Sequence, residues 1–151
     1  MAGARRAETA GQLAQWEGAR VTTKQPNVGD EATGSVMVAP EHFATRIVAG
    51  TPEVFSTPAL GALVEKTAAE WLHGFVGADQ VSVGSQITIN HTAATPEGKR
   101  VTVTVRLEAA EPPRYDFSWS ARDEAEDVGS GTHQRFVVER ERFMRRLERK
   151  R

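Results

Sequence analysis

The sequence predicts an α+β fold in which an antiparallel sheet wraps round one long central helix. One helical stretch is apolar on most of its sides, which is typical of a buried helix. The segments that follow it alternate between apolar and polar residues with a period of two, and turn residues separate them. An antiparallel sheet buries one face, and the helix is the only partner large enough to cover that face. At 151 residues the chain suggests a single domain.

The predicted helix lies within Val54–Leu72. Thr57 is the predicted N-cap, because its hydroxyl can accept a hydrogen bond from a free amide of the first turn, and Pro58 suits the first helical position. Glu65 falls outside the polar stripe of this helix and shares a row with small and apolar residues. We therefore expect its carboxylate to be paired, protonated or facing a cleft.

The strands are predicted from the order of the remaining segments. A short strand, residues 34–38, precedes the helix, and four longer strands follow it as a meander, residues 81–93, 101–108, 115–122 and 132–140. A hairpin turn is expected at 95–99, and a basic helical tail at 139–151. In the first long strand His91 lies on the helix-facing side with Ile87 and Ile89, and Gly84 lies on the opposite side. This architecture is of the hot-dog type.

Composition excludes several classes of function. The net charge is −1, which gives no overall field for nucleic acid, and the absence of cysteine excludes thiolate chemistry. No apolar run is long enough to span a membrane and no secretory signal is present, so we expect a cytoplasmic protein. The four histidines show no metal-ligand spacing, and we expect neither metal nor cofactor. Residues 1–27 are expected to be a flexible extension of a single domain at 28–151.

Two polar groups are aimed at the contact between helix and sheet. His91 lies on the helix-facing side of its strand and Glu65 lies on the helix, so the two can share a pocket and perturb each other's pKa. Each also has a structural interpretation, as a hydrogen-bonded core residue. Thr57 adds a hydroxyl at the helix N-terminus, where free amides favour an oxyanion. Thr57 and Glu65 are eight residues apart, or about 12 Å along one helix, so two chains are needed to bring them together.

From about residue 28 the sequence resembles the hot-dog thioesterase family of the fluoroacetyl-coenzyme A thioesterase. The resemblance lies in P-E-V-F-S-T at 52–57, Glu65, Gly84, H-T-A-A-T-P at 91–96, V-T-V-T-V at 101–105 and G-S-G-T-H-Q-R at 129–135. It implies that Thr57, Glu65 and His91 are catalytic. It also implies that Gly84 and Arg135 contact the substrate or coenzyme A, and that the protein is a homodimer with its active sites at the subunit interface.

The leading hypothesis is hydrolysis of a short or specialised acyl-CoA thioester. The connection at 40–52 lacks the closely spaced phenylalanines of the family's lid, and Pro58 stands where the fluoroacetyl enzyme has glycine, so a more general acyl group is expected. One alternative is a non-catalytic hot-dog module that binds an acyl thioester or a carrier-bound acyl chain. Three buried polar groups without a task would only cost stability, which argues against it. The other alternative, a hydratase or dehydratase, lacks the expected Asp and His near the helix.

Overall fold

A computed structural model describes residues 25–151, so the predicted extension lies almost wholly outside the described residues. The strands are β1 (Glu31–Met37), β2 (Gln80–His91), β3 (Arg100–Glu111), β4 (Arg114–Arg122) and β5 (Asp127–Glu139). The helices are α1 (Thr57–His73) and α2 (Arg140–Glu148). Two short 3-10 turns, Pro40–His42 and Ala44–Arg46, lie between β1 and α1. Within the described part of the chain, neither α-helix has the length and apolar character that a bilayer span requires.

The five strands form one sheet in the order β1-β3-β4-β5-β2, and every neighbouring pair is antiparallel. The meander is therefore β3-β4-β5, and β2 pairs with β5 instead of β3. The predicted hairpin at 95–99 is wrong. Gly98 does adopt a turn conformation, with φ of 81°. However, the strands before and after it, β2 and β3, are not neighbours in the sheet, because β4 and β5 lie between them. This connection crosses the sheet, and in the part of the chain that the structure describes β2 is an edge strand beside α1.

The core lies between α1 and the concave face of the sheet. Leu60, Val64, Ala68 and Leu72 of α1 are fully buried, and so are the alternate residues Val101, Val103 and Leu107 of β3. Full burial of a Leu or Val side chain stabilises a fold by about 1.5–3 kcal/mol, so this layer is the main source of stability. The predicted α+β arrangement of a sheet wrapped round one helix is confirmed.

The helix begins one residue away from the predicted position. Ser56 is the N-cap, and its Oγ accepts a hydrogen bond from the Ala59 amide at 3.1 Å. Thr57 is the first helical residue, so the prediction of Thr57 as the cap is wrong. Both residues carry a hydroxyl, and only the backbone conformation decides which one faces the free amides. The consequence is that the Thr57 hydroxyl is not used by the helix.

A β-bulge interrupts β2. The pairing with β5 shifts between Gly84 and Gln86, so Ser85 is an extra residue. The bulge changes the phase of the alternation, and Gly84 faces α1 together with Ile87 and Ile89. A Cβ placed on Gly84 would lie 2.6 Å from Oε1 of Glu65. The prediction that Gly84 lies on the face opposite His91 is therefore wrong, because an unbroken period of two was assumed.

Candidate active site

The N-terminus of α1 and the end of β2 bring a hydroxyl and an imidazole together. Oγ1 of Thr57 lies 2.9 Å from Nδ1 of His91, within hydrogen-bond distance. The two side chains border an open pocket of about 280 Å³, which Ala44, Phe55, Ala93 and Ala94 also line. Thr57 is exposed and His91 is half-buried. The lining combines apolar side chains with the polar residues Ser56, Thr57, His91 and Thr92, which can accommodate an acyl chain and its carbonyl.

The His91 ring is held in its neutral form. Burial lowers its pKa below 6.5, and the nearby Ala93 backbone opposes this effect in part. Nε2 of His91 is buried and has no hydrogen-bond partner among the described residues. A buried polar atom without a partner requires an explanation, and a substrate or second chain that contacts it is one.

Glu65 does not lie beside Thr57 and His91 but farther along the groove between α1 and β2. Its side chain is exposed, as is that of Thr57, so the expectation of three buried polar groups, which argued against a non-catalytic module, is wrong for the single chain. The Glu65 carboxylate lies over Gly84, where an added Cβ would also be 3.2 Å from Nη1 of Arg135. Gly84 and His91 are seven residues apart on β2, which corresponds to roughly 20 Å. Within one chain the structure therefore brings Thr57 to His91, and Glu65 to Gly84 and Arg135, but it does not bring the two groups together.

Arg135 is buried in a polar network that the sequence predicts only in part. Its side chain is 6% exposed. Nε donates to Oγ of Ser82 at 2.9 Å, Nη2 donates to the Ser82 carbonyl at 3.0 Å, and Nη1 lies 3.3 Å from Nε2 of His133. Sequence analysis missed Ser82 and His133 as members of the site. The available signal was that β5 places two polar residues, His133 and Arg135, on the face that should be apolar.

Burial and nearby charge act on both members of this network. Burial lowers the pKa of Arg135, and the Glu65 carboxylate opposes this effect. Burial also lowers the pKa of His133, and the Arg135 charge acts in the same direction. The hydrogen bond to the Gln86 carbonyl and the Glu65 charge raise that pKa in part. The network therefore contains a charged guanidinium, a carboxylate and a neutral imidazole.

Another groove of the described chain lies at the opposite end of the β2–β5 pair. It has a volume of about 410 Å³ and lies between α2 and residues such as Gln80, Pro113 and Val137. It contains none of the predicted site residues. Within residues 25–151, no three His, Asp or Glu side chains are grouped as metal ligands would be.

Comparison with known proteins gives consistent matches. A family model described as fluoroacetyl-CoA-specific thioesterase matches residues 38–141. A fluoroacetyl-CoA thioesterase from Streptantibioticus cattleyicolor is 33% identical over 129 residues, which are 82% of this chain and 93% of the relative.

Solved structures agree with this result. A crystal structure of a point variant of the fluoroacetyl-CoA-specific thioesterase FlK superposes with a TM-score of 0.82 and 32% identity, over 85% of this chain and 100% of that chain. A hot-dog-like protein from Thermanaerovibrio acidaminovorans superposes with a TM-score of 0.76 and 27% identity, over 82% of this chain and 91% of that chain. The predicted hot-dog fold is thereby confirmed.

Proposed function

Because this chain belongs to the fluoroacetyl-CoA-specific thioesterase family and is an acyl-CoA thioesterase by class, we propose that it hydrolyses a short acyl-CoA thioester to free acid and CoA. The reaction takes place at Thr57, Glu65 and His91 in a dimer. The observation that carries this proposal is the Thr57–His91 hydrogen bond of 2.9 Å at the edge of an open pocket. Ser56 caps the helix, so the Thr57 hydroxyl is available to the site.

The chemistry needs an attacking oxygen, a stabilised oxyanion and a proton for the leaving sulfur. Glu65 supplies the first, either by attacking the thioester carbon itself or by taking a proton from the water that attacks. The C–S bond then breaks and CoA leaves as the thiolate. In either route His91 receives the proton lost by the reacting water, directly or from Glu65, and passes it to the sulfur to give the CoA thiol. In the Glu65-attack route, water hydrolyses the resulting anhydride and restores the carboxylate. Thr57 orients the carbonyl or the carboxylate, and a backbone N–H near Gly84 binds the oxyanion.

A homodimer completes this site. Roughly 20 Å of β2 separates Glu65 from His91 within one chain, so Glu65 of one subunit acts with Thr57 and His91 of the other. Among residues 25–151, β2 is an edge strand 12 residues long with no second strand beside it, and such an edge favours pairing with a second copy. Ala62 beside Glu65 is exposed, and so are Ile47 and Val48, at 61% and 58%. Exposed apolar groups around the site favour burial in a subunit interface.

Gly84 and Arg135 border the acyl-CoA in this proposal. Nη1 of Arg135 is the guanidinium nitrogen beside Gly84. The other two nitrogens, Nε and Nη2, are hydrogen-bonded to Ser82, so Nη1 is the nitrogen that acts near the thioester. The curated relative is a fluoroacetyl-CoA thioesterase, so fluoroacetyl-CoA and acetyl-CoA are the first substrates to test. A CoA thioester substrate also agrees with the predicted cytoplasmic location.

Release of free thiol from a panel of acyl-CoA esters tests the function. We expect turnover of short acyl-CoA esters that falls by orders of magnitude in Glu65→Gln, because the amide can act neither as base nor as nucleophile. Binding of acyl-CoA without any thiol release would contradict hydrolysis and support the non-catalytic module. An acyl-pantetheine thioester included in the panel separates recognition of CoA from recognition of a carrier-bound chain.

A further inference from the structure

Two fixed partners determine the tautomer of His133. Its Nδ1 lies 2.8 Å from the Gln86 carbonyl, and a carbonyl oxygen only accepts hydrogen bonds. Nδ1 therefore carries a proton. Its Nε2 lies 3.3 Å from Nη1 of Arg135, and a guanidinium only donates. Nε2 therefore presents its lone pair, and the ring is neutral for as long as both bonds are made.

The ring has no room to turn. His133 is 2% exposed, and its ring stacks on Phe117 with a centroid distance of 6.3 Å and an interplanar angle of 28°. Trp71 of α1 packs edge-on against the same phenylalanine at 5.8 Å. The lone pair of Nε2 is thus aimed in one direction, towards Arg135.

This direction matters because it sets the position of the guanidinium. Two hydrogen bonds to Ser82 hold Nε and Nη2 of Arg135, and His133 is the partner that holds Nη1. Nη1 and Oε1 of Glu65 border the same small space above Gly84, at 3.2 Å and 2.6 Å from the place of a missing Cβ. A guanidinium that swings away from this space removes the positive charge of Arg135 from the neighbourhood of the Glu65 carboxylate.

The geometry points to His133 as a positioning residue for Glu65, acting through Arg135. This inference rests on the proposed function, in which Glu65 carries out the chemistry. His133 does not touch the substrate. Its neutral ring accepts a hydrogen bond from Nη1 and so keeps the guanidinium beside the carboxylate. A doubly protonated ring would present an N–H to the guanidinium, and the arrangement would be lost.

Two substitutions separate positioning from packing. In His133→Gln the side-chain oxygen reaches the place of Nε2 and still accepts from Arg135. In His133→Asn the amide nitrogen takes the place of Nδ1 and donates to Gln86, but no acceptor remains for Nη1. We expect kcat of His133→Asn to fall roughly 10- to 100-fold, as for a misplaced catalytic group, with KM nearly unchanged, and His133→Gln to recover most of the loss. The inference would be overturned if both variants lost kcat equally and the loss followed the decrease in their melting temperatures.

Three controls complete the experiment. The exposed His73 of α1 is the matched control, and His73→Asn should leave kcat unchanged. In a Glu65→Gln background, His133→Asn should cause no further loss, and an additional tenfold loss would mean that His133 does not act through Glu65. Imidazole ¹⁵N shifts of the wild-type protein should show a protonated Nδ1 and a bare Nε2, and the opposite tautomer would overturn the inference.

The failure of this inference differs from the failure of the proposed function. A wild-type protein that hydrolyses no acyl-CoA contradicts the function itself, and with it the role of His133. Normal wild-type turnover with an unaffected His133→Asn variant contradicts only the role of His133.

Discussion

Substitution of Gly84 by alanine is a local test of where Glu65 must lie. The added Cβ would be 2.6 Å from Oε1 of Glu65, whereas ordinary van der Waals contact begins at 3.4 Å. The difference, 3.4 − 2.6, means that the carboxylate must move by about 0.8 Å. Glu65 is exposed, so its side chain has room to rotate away at little cost. The Cβ would also lie 3.2 Å from Nη1 of the buried Arg135, which need give only a few tenths of an ångström. The main displacement therefore falls on the Glu65 carboxylate, and catalysis should suffer more than folding.

A displacement of this size is large for a reacting group. A misplacement of about 1 Å can reduce the rate roughly 100-fold, so we expect kcat of Gly84→Ala to fall by one to two orders of magnitude. The free energy of unfolding should change by less than about 1 kcal/mol, which is below the usual range for overpacking of a rigid core. Steady-state hydrolysis of the best acyl-CoA substrate and urea unfolding measure the two quantities.

Gly61→Ala is the matched control for this substitution. It adds a methyl group between α1 and β2 one helical turn away, where the nearest atom is Cδ1 of Ile89 at 3.0 Å and the Glu65 carboxylate is not touched. We expect its kcat to stay within a few-fold of wild type. If Gly84→Ala retains wild-type kcat, or if Gly61→Ala loses as much as Gly84→Ala, then the position of the Glu65 carboxylate over Gly84 is not what catalysis requires.

Two further predictions concern the cap and pH. Ser56→Ala should lower the free energy of unfolding by about 1 kcal/mol because it removes the N-cap. Thr57→Ala should instead lower kcat with little effect on unfolding. Urea titrations and kinetics that show the reverse pattern would contradict the cap assignment. The pKa values of His91 and His133 are lowered by burial from 6.5, so the unfolded chain binds protons first as pH falls through 6.5. The melting temperature should therefore fall between pH 7.5 and about pH 5, by less in His133→Gln, and a melting temperature that rises over this interval would contradict the neutral state of the two rings.

Local patterns in the sequence were enough to predict the elements of the fold. The apolar stretch after Pro58 forms α1, and the alternation in residues 101–107 forms the buried face of β3. His91 was correctly placed facing the helix because no irregularity lies between Ile87 and the end of its strand. These predictions depend on contacts that are periodic along the chain.

The errors came from contacts that a periodic pattern does not contain. Gly84 was placed on the wrong face because the bulge at Ser85 is a local exception to the period of two. The start of β5 was predicted at Thr132, but the strand begins at Asp127. Gly131 lies within β5, at a position where a side chain would overlap the Thr88 backbone of β2, so only glycine fits there.

The Ser82–Arg135–His133 network was missed for a similar reason. Its members come from two strands whose pairing is set by the whole sheet, since β2 crosses to the far side and pairs with β5. No spacing along the chain connects Ser82 to Arg135. The relation becomes visible only when the strand order is known.

Mixing two inactive variants tests the central claim most directly. Glu65→Gln and His91→Gln homodimers should each be inactive, and their subunits should exchange to give heterodimers. If Glu65 acts across the interface, each heterodimer contains one site with an intact Glu65 from one chain and an intact His91 from the other. Random exchange makes half of the dimers heterodimers, so activity should recover to about a quarter of the wild-type value. No recovery, with heterodimers demonstrated by native mass spectrometry, would contradict a thioesterase site that Glu65 and the Thr57–His91 pair form between two chains.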